Sequence, residues 1–227
     1  MSLPQVGGPL PSGTTSLPLV CTHGWKHDRS AWTPLIEYLP DDHEVITWDL
    51  PYHGEGGALD RPDEPPRAEL VERLDQLIGE RESVIVVGHS LGGYLALSFA
   101  LAYPDRVAGI VLLSTGPGFS KVEAREAWNQ WVRSHVDADA PNQELLTFHH
   151  DTYVLDRLRE IEVPVLLFQG DRDKRFEAAR QVFEARLPDV EVHVLAGAGH
   201  NIHLTHSELV GEALLQWLPK VETSYTP

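Results

Sequence analysis

The sequence predicts an α/β fold, a mainly parallel sheet with helices on both faces. Six short apolar runs, most of them rich in β-branched residues, each stop at a glycine or a polar turn, as buried strands do. Between most of them lie stretches with the periodicity of amphipathic helices. Strands that alternate with helices build a parallel sheet covered on both sides, and right-handed crossovers gather the loops after the strands along one edge.

The first run, Leu17 to Cys21, ends at His23-Gly24 and is followed by a helical stretch near 31–39. Val45 to Trp48 ends at Asp49 and precedes a helix over 67–79, where Leu70, Val71, Leu74, Leu77 and Ile78 fall on one face. Ser83 to Val87 ends at Gly88 and leads into a helix over 91–103. Val107 to Leu113 ends at Ser114, and Val163 to Phe168 ends at Gly170 before a helix over 176–187. Val190 to Leu195 ends at Gly197, ahead of a last helix over 206–218 with Leu209, Ala213, Leu214 and Trp217 on a common face.

Residues 117–160 break this alternation. They hold Trp128, Trp131, Phe148 and Tyr153 among many charges, with no strand-like run, and read as a helical insertion over the sheet edge. Trp128 and Trp131 share a helix face that packs inward and is also available to roof a pocket. The first sixteen residues, mostly Pro, Gly, Ser and Thr, read as a flexible segment, and 17–227 as one domain.

Composition removes several classes of function. Of 227 residues, 18 are Lys or Arg and 34 are Asp or Glu, a formal charge of −16. Such a surface repels nucleic acid and anionic membrane. One cysteine, Cys21, excludes an intramolecular disulfide framework and any multi-cysteine metal site. No apolar run approaches the roughly 18 residues of a membrane span. The N-terminus lacks the basic start and apolar stretch of a signal peptide, so a cytoplasmic protein, monomer or homodimer, is expected.

The strongest chemical signal is Gly88-His89-Ser90-Leu91-Gly92, a G-x-S-x-G set between an apolar run and a helical one. A serine at such a turn is lifted above the sheet, and the helix behind it offers N–H donors to developing negative charge. A serine hydroxyl needs a base, and the base an orienting acid. His200 follows the last strand run and is the candidate base, with His203 as fallback. Asp173, in Gly170-Asp171-Arg172-Asp173 after the fifth run, is the candidate acid, with Asp171 as alternative. Ser90, Asp173, His200 is the Ser…Asp…His chain order of one class of triad. The oxyanion donors would be the backbone N–H groups of Leu91 and of Trp25, the latter in the loop after the first strand. The pairs His149-His150 and His200/His203 reflect the abundance of histidine, and no metal site is assigned.

Together, His23-Gly24-Trp25, Asp49-Leu50-Pro51-Tyr52-His53-Gly54, Gly88–Gly93, Gly170–Asp173 and Gly199-His200 resemble the α/β-hydrolase superfamily over nearly the whole chain from residue 17. Within it the chain is similar to small carboxylesterases of the biotin pathway and to menaquinone-pathway synthases. The resemblance implies a sheet of about eight strands, a helical cap before the acid strand, no cofactor, and Ser90, Asp173, His200, Trp25 and Leu91 in the roles above. Two features depart from the family: Tyr52 stands where glycine is usual, and the cap is short. The expected activity is cleavage of a small-molecule carboxylic ester or thioester through an acyl-enzyme on Ser90. The alternatives are carbon–carbon bond hydrolysis, a lyase or cofactor-free haloperoxidase reaction, and a non-catalytic ligand receptor. The negative charge disfavours a highly anionic substrate unless Arg125 or Arg133 of the cap reaches the site.

Overall fold

The computed structural model describes residues 16–225. The strands are β1 (Leu19–Thr22), β2 (Val45–Trp48), β3 (Val84–His89), β4 (Val107–Leu113), β5 (Val165–Gly170) and β6 (Val190–Leu195). The helices are α1 (Thr33–Ile36), α2 (Arg67–Ile78), α3 (Leu91–Ala102), α4 (Val122–Arg133), α5 (Tyr153–Arg157), α6 (Glu177–Arg186), α7 (Ile202–Thr205) and α8 (Ser207–Ser224). Each of the six apolar runs has become one strand.

The sheet has the order β2-β1-β3-β4-β5-β6 and every pairing is parallel. Side chains alternate across it, as the strand period requires. Val20, Val86, Ile110, Leu112, Val165 and Leu167 face a core shared with Leu70, Leu74, Leu97 and Phe99. Leu19, Cys21, Ile85, Val87, Val111, Leu113, Leu166 and Phe168 face the opposite core, with Trp32, Leu35, Leu214 and Trp217. The near-continuous apolar strand sequences follow from having both faces buried.

Two expectations change. The sheet has six strands among the described residues rather than about eight; the larger number came from the resemblance, whereas the apolar runs themselves number six. The last helix continues past Pro219 to Ser224 instead of stopping at 218. Beyond the proline, Val221 is buried to 1% exposure in the core around Gly109. That contact offsets the backbone hydrogen bond Pro219 cannot make. The segment read as flexible, 1–16, lies outside the described residues except for Ser16.

Between β4 and β5 the chain runs through α4, single 3₁₀ turns at Gln143–Thr147 and Leu158–Glu160, and α5. This cap is tied to the body by polar contacts. Arg67 pairs with Asp151 at 2.6 Å. Gln143 Nε2–H donates to the Tyr52 carbonyl at 2.9 Å, and Lys26 Nζ donates to the His135 carbonyl at 2.8 Å.

Candidate active site

All the loops that carry candidate residues leave the C-terminal ends of strands, the edge where open α/β sheets bind ligands. The tightest is the turn from β3 into α3. Ser90 sits there at φ 53°, ψ −112°, outside the regions L-residues favour. Its neighbours explain how the strain is held. A side chain on Gly92 would run into the Thr22 carbonyl of β1, and a Cβ on Gly93 would lie 2.6 Å from the Thr115 side chain. Ser90 N–H donates to the Leu113 carbonyl at 2.9 Å, and Thr115 Oγ1 donates to the Ser90 carbonyl at 2.6 Å. Gly92→Ala is therefore expected to destabilise the fold by about 3 kcal/mol or more, the scale of severe overpacking. A urea midpoint close to that of the unsubstituted protein would contradict this.

Asp173 and His200 meet. His200 Nδ1 lies 2.6 Å from Asp173 Oδ2, with Asp173 buried and His200 partly open to a cleft. The carboxylate can only accept, so Nδ1 carries the proton, and in the neutral ring Nε2 is the nitrogen with the lone pair. The two loops are braced together: Arg172 N–H donates to the Ala198 carbonyl at 3.0 Å and Asp171 N–H to the Leu195 carbonyl at 3.1 Å. Asp171, the alternative acid, is exposed and accepts the Gly197 N–H at 2.9 Å, as a turn residue does. His203, the fallback base, is fully buried behind the site, its ring 4.1 Å from that of His89. His89 in turn donates Nε2–H to the His200 carbonyl at 3.0 Å, tying the serine turn to the histidine loop.

Ser90 and His200 line one cleft of about 740 Å³ including its open mouth. No hydrogen bond joins Ser90 Oγ to His200 among the described residues, a looseness common before substrate closes such a site. Trp25 and Leu91 line the same cleft, and neither backbone N–H has an acceptor among the described residues. The Trp25 loop is shaped by two imidazoles. Leu50 N–H donates to His23 Nε2 at 3.0 Å, so Nδ1 bears the proton and donates to the Gly24 carbonyl at 2.8 Å. Lys26 N–H donates to His53 Nε2 at 3.3 Å, and His53 Nδ1–H to the Pro51 carbonyl at 2.8 Å. Tyr52 stands at φ 64°, the left-handed region a glycine enters freely. The loop thus holds that conformation without the glycine.

The cap supplies much of the wall. Trp128, Trp131, Leu146, Thr147, Phe148 and His149 line the cleft, so the Trp128/Trp131 face does roof it. The sequence reading did not single out Tyr94, Thr115, Arg175 or Phe176, which complete the wall. Phe176 stacks on His200, with ring centroids 5.0 Å apart and planes 17° from parallel. Arg175 and Phe176 lie two and three residues beyond Asp173, and that adjacency was the available signal. Neither Arg125 nor Arg133 lines the cleft: Arg125 donates to the Phe119 carbonyl at 3.1 Å, and Arg133 covers the Phe148 ring.

Burial holds several of these histidines neutral. It lowers His23 and His149 to about 4 and His203 to about 3, and takes His89 well below its ordinary value. Once unfolded, each takes up a proton near pH 6.5. Between that pH and the folded-state values the unfolded chain binds more protons, so stability present above pH 6.5 is lost as pH falls. For His203 the loss by pH 5 is about 2 kcal/mol. The urea midpoint is expected to fall between pH 7.5 and 5, and to fall less in His203→Leu. Equal slopes in the two proteins would refute this.

Residues 19–213 match the Alpha/beta hydrolase family, and the chain belongs to it. Along most of its length it is similar to a Bacillus subtilis (strain 168) protein named "Putative 2-succinyl-6-hydroxy-2,4-cyclohexadiene-1-carboxylate synthase". The two are 29% identical over 254 residues, 89% of this chain and 90% of that protein. A pimeloyl-[acyl-carrier protein] methyl ester esterase of Aliivibrio salmonicida (strain LFI1238) is 32% identical over 111 residues, covering 48% of this chain and 39% of its own length. Among solved structures, MenH from S. aureus superposes with a TM-score of 0.76 at 22% identity, over 91% of this chain and 94% of that one. Among the described residues no helix is long and apolar enough to cross a membrane.

Proposed function

We propose that the protein is a serine hydrolase that cleaves a carboxylic ester or thioester of a small molecule through an acyl-enzyme on Ser90. One observation carries the reading: the 2.6 Å Asp173–His200 pair, whose imidazole lines the same cleft as the strained Ser90 turn. With Nδ1–H held by Asp173, His200 Nε2 takes the Ser90 proton as Oγ attacks the substrate carbonyl. The N–H groups of Trp25 and Leu91 receive the oxyanion, and the stacked Phe176 keeps the imidazole in plane. His200 then gives the proton to the departing alkoxide or thiolate. Water, deprotonated by the same nitrogen, releases the acid and restores Ser90.

The similarity to a synthase along most of the chain supports a second reading, elimination or carbon–carbon chemistry with the same three residues. A p-nitrophenyl ester series from acetyl to decanoyl separates the two. Turnover with a clear chain-length optimum supports ester cleavage and sizes the acyl pocket. A folded protein inert toward every ester sinks the first reading and favours the second.

A further inference from the structure

The cleft wall is aromatic, with Trp25, Trp128, Trp131, Tyr94, Phe148 and Phe176 around Ser90, and among the described residues it includes no Asp or Glu. In a chain of charge −16 that is a local inversion. Burial keeps His149 on the wall neutral, and the Nδ1 edge of His200 is committed to Asp173. Among the described residues one permanent cation lines the cleft, Arg175. Its guanidinium carbon lies 3.8 Å from the centroid of the Trp131 ring and 5.7 Å from that of Trp128. Most arginines of this acid-rich protein pair with a carboxylate, whereas Arg175 has no salt bridge among the described residues. An indole covers one face of the guanidinium but leaves the N–H edges uncommitted, and those edges match a planar carboxylate in bidentate fashion.

Resting on the hydrolase reading above, we propose that Arg175 is a specificity residue that receives a carboxylate carried by the substrate at a distance from the scissile bond. The substrate class is then a half-ester or an acid-bearing thioester rather than a simple alkanoate. The indoles of Trp128 and Trp131 hold the cation in place before substrate arrives, so little side-chain entropy is left to lose on binding. Because the rest of the surface repels anions, selection for the charge arises inside the cleft, within a Debye length of about 8–10 Å.

The test compares matched pairs at fixed ionic strength and pH 7.5. Mono-p-nitrophenyl glutarate against p-nitrophenyl valerate places the charge on the acyl side, and 4-acetoxybenzoate against methyl 4-acetoxybenzoate places it on the leaving group. The pair showing the larger charged-to-neutral ratio of kcat/KM identifies which part of the substrate faces Arg175. In that pair, Arg175→Gln is expected to lower the ratio about 10- to 100-fold, the worth of a charge-assisted hydrogen bond. Arg175→Lys retains part of it, and Arg172→Gln, which removes the same charge from the same loop outside the cleft wall, leaves it as it was. A ratio within about twofold of the original in Arg175→Gln, or an equal fall in Arg172→Gln, overturns the proposal. Binding provides an arm independent of turnover. Adipate is expected to quench tryptophan fluorescence saturably and at least about tenfold more tightly than adipamide, an advantage that Arg175→Gln abolishes. If no ester is cleaved, the hydrolase reading fails while this arm still decides the role of Arg175. Equal binding of adipate and adipamide would end it.

Discussion

Ser90→Ala is expected to reduce ester turnover about 10⁶-fold, the largest effect of any single substitution in the protein. Alanine keeps the Cβ that the turn already accommodates at φ 53°, and the bonds that hold the turn come from backbone and from Thr115. The fold should therefore survive, with an unchanged far-UV spectrum and urea midpoint. What disappears is the atom that bonds to the acyl group in the proposed mechanism. His200 and the two N–H donors remain, so the residual rate should still exceed that in water. Loss of only a few-fold in a folded Ser90→Ala protein would mean that water or another side chain attacks the ester.

The second large effect belongs to Asp173→Asn, about 10⁴-fold in kcat at neutral pH with KM little changed. The carboxylate has two jobs at 2.6 Å from His200 Nδ1. In the proposed mechanism it selects the tautomer whose Nε2 is free to accept the serine proton, and it stabilises the imidazolium formed as Oγ attacks. An asparagine amide that turns its NH₂ toward Nδ1 forces the proton onto Nε2, which can then only donate. Asp171→Asn is the control on the same loop, because Asp171 serves the Gly197 turn and does not touch His200. If Asp171→Asn proved as damaging as Asp173→Asn, the assignment of the acid would have to be reversed.

The parts of the candidate site written into strand ends were legible in the sequence. A G-x-S-x-G between an apolar run and a helix, an Asp-bearing turn and a Gly-His turn each sit where a strand stops, and parallel topology brings such ends to one edge. The six apolar runs were legible for a related reason: strands buried on both faces need continuous apolar sequence. The wall of the cleft was not legible. Its cap residues owe their positions to contacts far apart in the chain, such as Arg67 with Asp151 and Gln143 with Tyr52, which leave no periodic trace. Arg175 illustrates the limit. Its neighbour Asp173 stood out through chain order and turn chemistry, whereas the role of Arg175 depends on two tryptophans from a cap helix more than forty positions away. The last helix shows the same limit from the other side, since it runs through Pro219 to Ser224 where Val221 is buried, six residues past the end its apolar spacing marked.

The measurement that bears most directly on the account is covalent capture of the nucleophile. Diethyl p-nitrophenyl phosphate transfers its diethylphosphoryl group to an activated serine oxygen, with p-nitrophenolate leaving and the serine proton passing to the base. Intact-mass analysis followed by peptide mapping is expected to find one such adduct, on Ser90. It should form far more slowly in Asp173→Asn and not at all in Ser90→Ala. An unlabelled protein after prolonged exposure, or an adduct on any residue other than Ser90, would contradict the assignment of Ser90 as the activated nucleophile.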